Sequence, residues 1–385
     1  MSAYIPGLEG VVAARTRLSH VDGQNGILII GGMPLETLAP NASFEEGVFL
    51  LWHDRLPNAA ELAAQKERMV AARPLPKTTM ELLRGAAAVK APVIDALRMA
   101  VATLSLDDPE PASETSDAQL RRAESIVARF PIIVAVYDRL LKGLPLVDQR
   151  PDLGHAGNFL YMLTGKEPDV AATRALATYL LTVIDHGMNA STFTARVITS
   201  TRSDLYSAVT GAIGALKGPA HGGAPGPALD MVFEIGTPEN AEANIRGRLE
   251  RGERLMGFGH RVYKVRDPRA DVLQEAAKRM NDASGDPQLR DLYLLATGVE
   301  STVLRLLDEY KPGRNLKTNV EFFTALVLHA VGLETDLFTP CFAIGRSGGW
   351  TAHCLEQLGD NRLIRPSSEY TGIKDRPWVA IEQRG

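Results

Sequence analysis

The chain has 385 residues, 45% of them hydrophobic and 23% charged, with a formal net charge of -4. That length buries a large core and divides naturally into two domains, or one large and one subsidiary. The near-balanced charge leaves no footprint for nucleic acid or an acidic membrane surface, so the arginines need local explanations.

No apolar run is long enough to span a bilayer, and no basic start followed by an apolar stretch suggests export. Cys341 and Cys354 share one C-terminal apolar stretch without a Cys-x-x-Cys pattern or neighbouring metal ligands. Buried reduced thiols in a cytoplasmic protein are the expectation.

In chain order, Arg17–Val21 and Gly26–Ile30 flank a turn with Asp22-Gly23 and Asn25-Gly26, which predicts a small hairpin. Ser43-x-x-Glu46 is a capping box ahead of Phe44, Val48, Phe49, Leu50 and Leu51, and Pro57-Asn58 starts a further helix carrying Leu62 and Met69. Helix dominates from here on. The acidic, proline-containing stretch around Asp107–Pro111, with Ser113 and Ser116, interrupts the periodicity as a solvated connection. The next helix carries Ile126, Val127, Phe130, Ile132, Ile133 and Val136, with a kink expected at Pro131.

From Asp169 the pattern Ala175, Leu176, Tyr179, Leu180, Val183, Ile184 predicts a buried helix reaching His186, with Gly187 as its stop. Asp204 opens a helix with Ser207, Gly211 and Ala215 at four-residue spacing, suited to a close helix contact either within the chain or between subunits. The Gly/Pro cluster from Gly218 to Pro227 reads as a hinge, followed by a helical pattern from Ala228.

The chemistry concentrates in three segments: Asp185-His186-Gly187-Met188-Asn189-Ala190-Ser191, Gly218-Pro219-Ala220-His221-Gly222-Gly223, and Gly257-Phe258-Gly259-His260-Arg261. A helix N-terminus just beyond His221 disfavours imidazolium, so a neutral His221 suits hydrogen bonding to a carbonyl that becomes an enolate. Around His260 lie Arg261, Lys264, Arg266 and Arg269; the group fits polarisation of a ketone whose carboxylates pair with arginine, and equally a solvated basic loop. Glu321 follows Thr318-Asn319-Val320 at the start of an apolar helix, where it fits either a dipole-stabilised helix acid or a desolvated base. His20, His53, His155, His329 and His353 have no metal spacing and read as core or surface residues. There is no Walker loop, strand-borne Gly-x-Gly-x-x-Gly or Cys/His cluster, so nucleotide hydrolysis, dinucleotide redox chemistry and a structural zinc are not indicated.

These three segments, in this order, resemble citrate synthase signatures. The resemblance extends to Gly7–Val11, Ala42–Glu46, Asn158–Leu163 and the ending Ile364-Arg365-Pro366-Ser367-Ser368-Glu369-Tyr370-Thr371-Gly372, essentially the whole chain. It implies a mainly α, two-domain helical fold with a small N-terminal β-hairpin: residues 1–221 and 326–385 forming a large, dimerising domain, and residues 222–325 a small helical domain closing over the active site. It further implies that His221 holds the acetyl-CoA carbonyl, that Glu321 removes the methyl proton, and that His260 polarises or protonates the oxaloacetate ketone. His186, His260, Arg269 and Arg346 would bind oxaloacetate, with Arg365 contributed across a homodimer interface, and Lys264 would lie near CoA. The implied reaction is citrate synthesis, without metal or tightly bound cofactor. 2-Methylcitrate synthesis from propionyl-CoA is the nearest alternative, and a catalytically weakened paralogue binding CoA or a tricarboxylate is a further one. Two departures stand out: Glu321 occupies a position where many members have aspartate, and Pro225-Gly226-Pro227 replaces a usual Asn-Glu after the glycine segment. Gly31-Gly32-Met33 also stands where Arg-Gly-Tyr is frequent.

Overall fold

The computed structural model describes residues 4–222 and 225–384. Gly223 and Ala224, part of the expected hinge, lie outside the described residues.

The N-terminal hairpin pairs β1 (Ser19–Asp22) with β2 (Ile27–Ile30) in antiparallel register, Ser19 opposite Ile30 and Asp22 opposite Ile27. The Asp22 carboxylate accepts from the backbone of Gln24 and Asn25, which closes the turn. A third short strand, β3 (Met33–Pro34), extends the expected hairpin into a three-stranded sheet.

Among the described residues every other regular element is helical. α1 (Leu35–Leu38) leads into α2 (Phe44–His53) and α3 (Ala59–Ala72). Both Ser43 with Glu46 and Asn58 with Glu61 form complete capping boxes, satisfying otherwise orphaned N–H groups at the two helix starts. α4 (Lys77–Ala88) and α5 (Val93–Thr103) precede α6 (Ser116–Leu141), which runs through Pro131 as one helix. The connection before α6 is not simply solvated: Arg122 gathers the Asp108 carboxylate at 2.5 Å and the carbonyls of Ser113 and Glu110. A guanidinium inside α6 therefore organises the acidic stretch, a long-range pairing that local composition did not reveal.

α7 (His155–Thr164), α8 (Val170–Thr182), α9 (Ala190–Ser200) and α10 (Leu205–Leu216) follow. α8 stops four residues short of His186, not at Gly187; Gly187, with φ +57°, instead turns the chain between His186 and α9. The small-residue stripe of α10 serves an internal contact at Gly211, where a Cβ would strike Ile198 of α9. α11 (Pro225–Ile235) starts three residues before the expected Ala228, because proline fits the first turn of a helix. α12 (Pro238–Glu250), α13 (Pro268–Ser284), α14 (Pro287–Tyr310) and α15 (Val320–Ala330) come next. α16 (Phe338–Gly359) then returns through the centre, packing on α2, α6, α8, α9 and α10.

Cys341 and Cys354 are buried, free thiols on α16; burial pushes the Cys354 thiol up to about 11. Among the described residues no helix is long and apolar enough to cross a membrane.

Candidate active site

The site forms where α16 passes the end of α8, on which α13 also packs. Arg346 lies in mid-helix on α16, 1% exposed, its Nε donating to the Val183 carbonyl at 2.6 Å. Its guanidinium covers the Phe342 ring at 4.8 Å, and among the described residues Nη1 is buried without a hydrogen-bond partner. Burial lowers its pKa to about 10, so it keeps its charge at neutral pH. A buried, charged N–H without an acceptor is costly, and an anionic ligand is the group that would satisfy it.

Arg269 lies in the first turn of α13 and is also buried. Asp267, the N-cap of that helix, receives Arg269 Nε at 3.0 Å and Nη2 at 2.8 Å. Burial works against the guanidinium charge, but the Asp267 pair outweighs it and raises the pKa. The same carboxylate accepts from the Val320 N–H at 3.2 Å, tying α13 to the start of α15.

His260 sits on the loop between α12 and α13. Its Nδ1 accepts from the backbone N–H groups of Val262 at 3.0 Å and Tyr263 at 3.1 Å, which assigns the ring proton to Nε2. Burial and the Arg269 cation lower its pKa to about 4. The 3.3 Å approach of Arg269 Nη2 to Nε2 therefore sets a cation beside a neutral donor and discourages a second proton. His186 faces the same space, its ring 5.8 Å from that of His260, and its Nε2 lies 3.0 Å from the Tyr263 hydroxyl. Burial, then the charges of Arg269 and Arg346, hold its pKa well below the ordinary histidine value.

His221 lies on the turn after α10, with Nε2 2.8 Å from Ser191 Oγ. Burial and the Arg346 charge lower its pKa to about 4. Ser191 is fully buried in the first turn of α9 and also accepts from Trp350 Nε1 at 3.1 Å. Its single hydroxyl proton has two acceptors at 2.8 Å, Asn189 Oδ1 and His221 Nε2. When the hydroxyl turns to His221, the imidazole proton resides on Nδ1. Gly222 must be glycine here, since a Cβ would overlap the Leu216 carbonyl.

Glu321 occupies the first turn of α15, capped by Asn319, whose Oδ1 accepts the Glu321 N–H at 3.0 Å and whose Nδ2 donates to Gly259 O at 2.8 Å. One asparagine thus fixes the carboxylate's helix to the His260 loop. Burial raises the Glu321 pKa above 4.5, while Arg269 pulls against the shift.

His186, His221, His260, Arg269, Arg346 and Glu321 are brought together through these bonds and charge interactions. Lys264 is exposed, with Nζ 3.4 Å from the Arg261 carbonyl. Arg365 is exposed in the extended segment after α16, and among the described residues no hydrogen bond or ion pair joins it to the cluster. Ser191, Trp350 and Tyr263 are the polar contacts that sequence patterns gave no role. Among the described residues no group of three or more His, Cys, Asp or Glu is placed to hold a metal ion.

The family description "Citrate synthase, C-terminal domain" matches residues 7–367. The chain belongs to the citrate synthase family. It is 43% identical over 378 residues to citrate synthase 2 of Bacillus subtilis, covering 98% of each chain. It is 39% identical over 374 residues to 2-methylcitrate synthase of Mycobacterium tuberculosis, covering 96% of this chain and 91% of that one. Among solved structures, citrate synthase of the thermophilic archaeon Thermoplasma acidophilum, in ternary complex with carboxymethyl coenzyme A and oxaloacetate, superposes with a TM-score of 0.87. It is 31% identical, with 98% of each chain covered. The mainly α fold and the family membership expected from the three histidine segments both hold.

Proposed function

We propose that this chain is a citrate synthase, condensing acetyl-CoA with oxaloacetate and hydrolysing citryl-CoA to citrate and CoA. The reading is carried by one arrangement: three histidines held uncharged at neutral pH around two buried guanidinium groups and a carboxylate whose proton affinity is raised. Uncharged imidazoles donate hydrogen bonds without adding charge, the guanidiniums suit a dicarboxylate, and the carboxylate suits a carbon acid.

In this mechanism Arg269, Arg346 and His186 hold oxaloacetate, and the Nε2–H of His260 points at its ketone oxygen. His221, with its proton on Nδ1 and Ser191 on Nε2, donates to the thioester carbonyl. Glu321 takes a methyl proton and the electron pair moves into the carbonyl, giving an enolate that His221 stabilises. The enolate carbon attacks the ketone carbon; the new C–C bond forms as the ketone oxygen gains a proton from His260, and the proton held by Glu321 returns to His260, so both groups end in their starting states. Water then cleaves the thioester of citryl-CoA, releasing CoA as the thiol. Arg365 completes the oxaloacetate site from the second subunit of a homodimer, and Lys264 contacts CoA; the exposure of both supports this, as does the absence, among the described residues, of a link from Arg365 to its own chain's cluster. Residues 222–325 act as the small domain closing on residues 1–221 and 326–385, with no tightly bound cofactor. Two buried free thiols are in keeping with a cytoplasmic setting.

A second reading, 2-methylcitrate synthesis, is supported by the Mycobacterium relative. Propionyl-CoA adds one methylene, which a hydrophobic pocket discriminates by only about 1–3 kcal/mol. Thiol release from acetyl-CoA and propionyl-CoA, each with and without oxaloacetate and with products identified by mass spectrometry, tests both. Oxaloacetate-dependent release with citrate as product is expected. Ligand binding without release overturns the enzymatic reading in favour of a non-catalytic paralogue.

A further inference from the structure

Behind His186 runs a chain of buried polar groups that the mechanism above does not use. Asp185 and His353 are both fully buried, and Arg196 is 2% exposed. Arg196 Nε lies 2.9 Å from His353 Nδ1; a guanidinium only donates, so Nδ1 accepts and the imidazole proton is on Nε2. That proton points at Asp185 Oδ1, 3.1 Å away. The other carboxylate oxygen, Oδ2, accepts from the Ser19 hydroxyl at 2.5 Å, so Asp185 accepts at both oxygens, as an ionised carboxylate does.

Ser19 Oγ in turn accepts the Gly187 N–H at 2.9 Å. The two residues flanking His186 are therefore tied to a single hydroxyl on β1, and the carboxylate on one side is backed by His353. Arg196 is itself held by Gln357 Oε1 at 3.1 Å and by Glu356. Gly349 lets α16 lie against this turn, since a Cβ there would overlap the Ile184 carbonyl.

We propose that His353 is a positioning residue for oxaloacetate: through Asp185 and Ser19 it fixes the backbone on both sides of His186, and so the direction in which that imidazole meets the substrate. The proposal rests on the reading of His186 as an oxaloacetate ligand. His353 touches no substrate itself, and among the described residues the acyl-CoA side, built on His221 and Glu321, has no hydrogen bond to this chain of groups. Its loss should appear in oxaloacetate binding and spare acetyl-CoA.

The test is steady-state thiol release by the purified 385-residue enzyme and its variants, with KM measured separately for each substrate. His353→Leu removes both ring hydrogen bonds, whereas His353→Gln offers an amide oxygen to Arg196 and an amide N–H to Asp185. H353L should raise the oxaloacetate KM about tenfold, with the acetyl-CoA KM within about twofold, and H353Q should restore most of the difference. Equal impairment of H353L and H353Q, equal rises in both KM values, or a wild-type oxaloacetate KM in H353L each overturns the proposal. Should H353L not fold, Ser19→Ala cuts the same chain at its partly exposed end; it should raise the oxaloacetate KM by roughly threefold or more, and a wild-type value overturns the proposal. His186→Ala, measured alongside, separates the two ideas. An unmoved oxaloacetate KM in H186A removes the ligand reading of His186, whereas a raised KM in H186A with none in H353L removes the positioning role alone.

Discussion

Replacing Ser191 with alanine tests how His221 is prepared for catalysis. The hydroxyl is fully buried and serves His221 Nε2 at 2.8 Å and Trp350 Nε1 at 3.1 Å. Two separate losses follow. The Trp350 N–H, on a side chain with no exposure, is left without an acceptor, which costs about 1–3 kcal/mol of stability. His221 loses the hydroxyl that, when turned from Asn189 to Nε2, places its proton on Nδ1; a hydrogen bond worth about 1.5 kcal/mol corresponds to roughly tenfold in kcat, and to a hundredfold if the ring also shifts. Among the described residues none of the groups proposed to hold oxaloacetate is hydrogen-bonded to Ser191, so the oxaloacetate KM should stay near wild type. Urea unfolding reads the first loss and kcat at saturating substrates the second. Trp350→Phe separates them, because it removes the indole donor and leaves the Ser191–His221 pair intact: stability should fall while kcat stays within about threefold. An S191A enzyme that is folded and turns over within about threefold of wild type would refute the assignment.

Glu321→Gln should lower kcat by about a thousandfold, within the range for losing a general base, while oxaloacetate still binds; near-normal turnover excludes Glu321 as the base. The pH dependence of kcat/KM should show no histidine limb between about pH 6 and 8, because the pKa values of His221 and His260 are near 4 and that of His186 is well below 6.5. Its acid limb should belong to Glu321. Activity needs the carboxylate, so it falls as pH drops through the Glu321 pKa, at a higher pH than an ordinary glutamate would give; an acid limb at or below the ordinary glutamate range contradicts this. His155, fully buried against Phe44 with a pKa near 3, should make the fold acid-sensitive. The unfolded chain takes up this proton below about 6.5 and the folded chain does not, so stability falls with pH, by about 2 kcal/mol at pH 5. His155→Phe should abolish that part of the difference between urea midpoints at pH 7.5 and pH 5, each pH being set to within about 0.1.

The parts legible in the sequence were those written in local patterns. Ser43, Asn58, Asp169 and Asp204 all cap the helices they precede. The histidine segments stood out because glycine and turn residues surround an imidazole where no packing pattern needs one. Local patterns failed where a neighbour came from far along the chain. Gly187 looks like a helix stop, yet α8 ends earlier, because the turn at Gly187 is shaped by the Ser19 hydroxyl from β1. The Asp107–Pro111 stretch looks solvated until Arg122 is folded onto it. Arg346, the most buried of the site arginines, occupies mid-helix in an apolar run, where spacing alone does not show what it faces.

His353 shows why partner groups stay hidden. Sequence alone leaves core and surface open for it; the residue is buried, and burial of an imidazole poses a question that spacing cannot answer: which groups satisfy its two nitrogens. Its partners, Arg196 and Asp185, lie 157 and 168 residues away. Gly345, Gly348 and Gly349 are the available signal, since three glycines within five positions of an apolar helix weaken it unless another backbone must come close. Here that backbone is the segment from Leu180 to Asp185, the stretch that delivers His186. Catalytic residues are marked by their own chemistry, whereas the groups that aim them are marked by what the chain removes to let them approach, and a glycine row in a helix beside a catalytic turn is where to look for them.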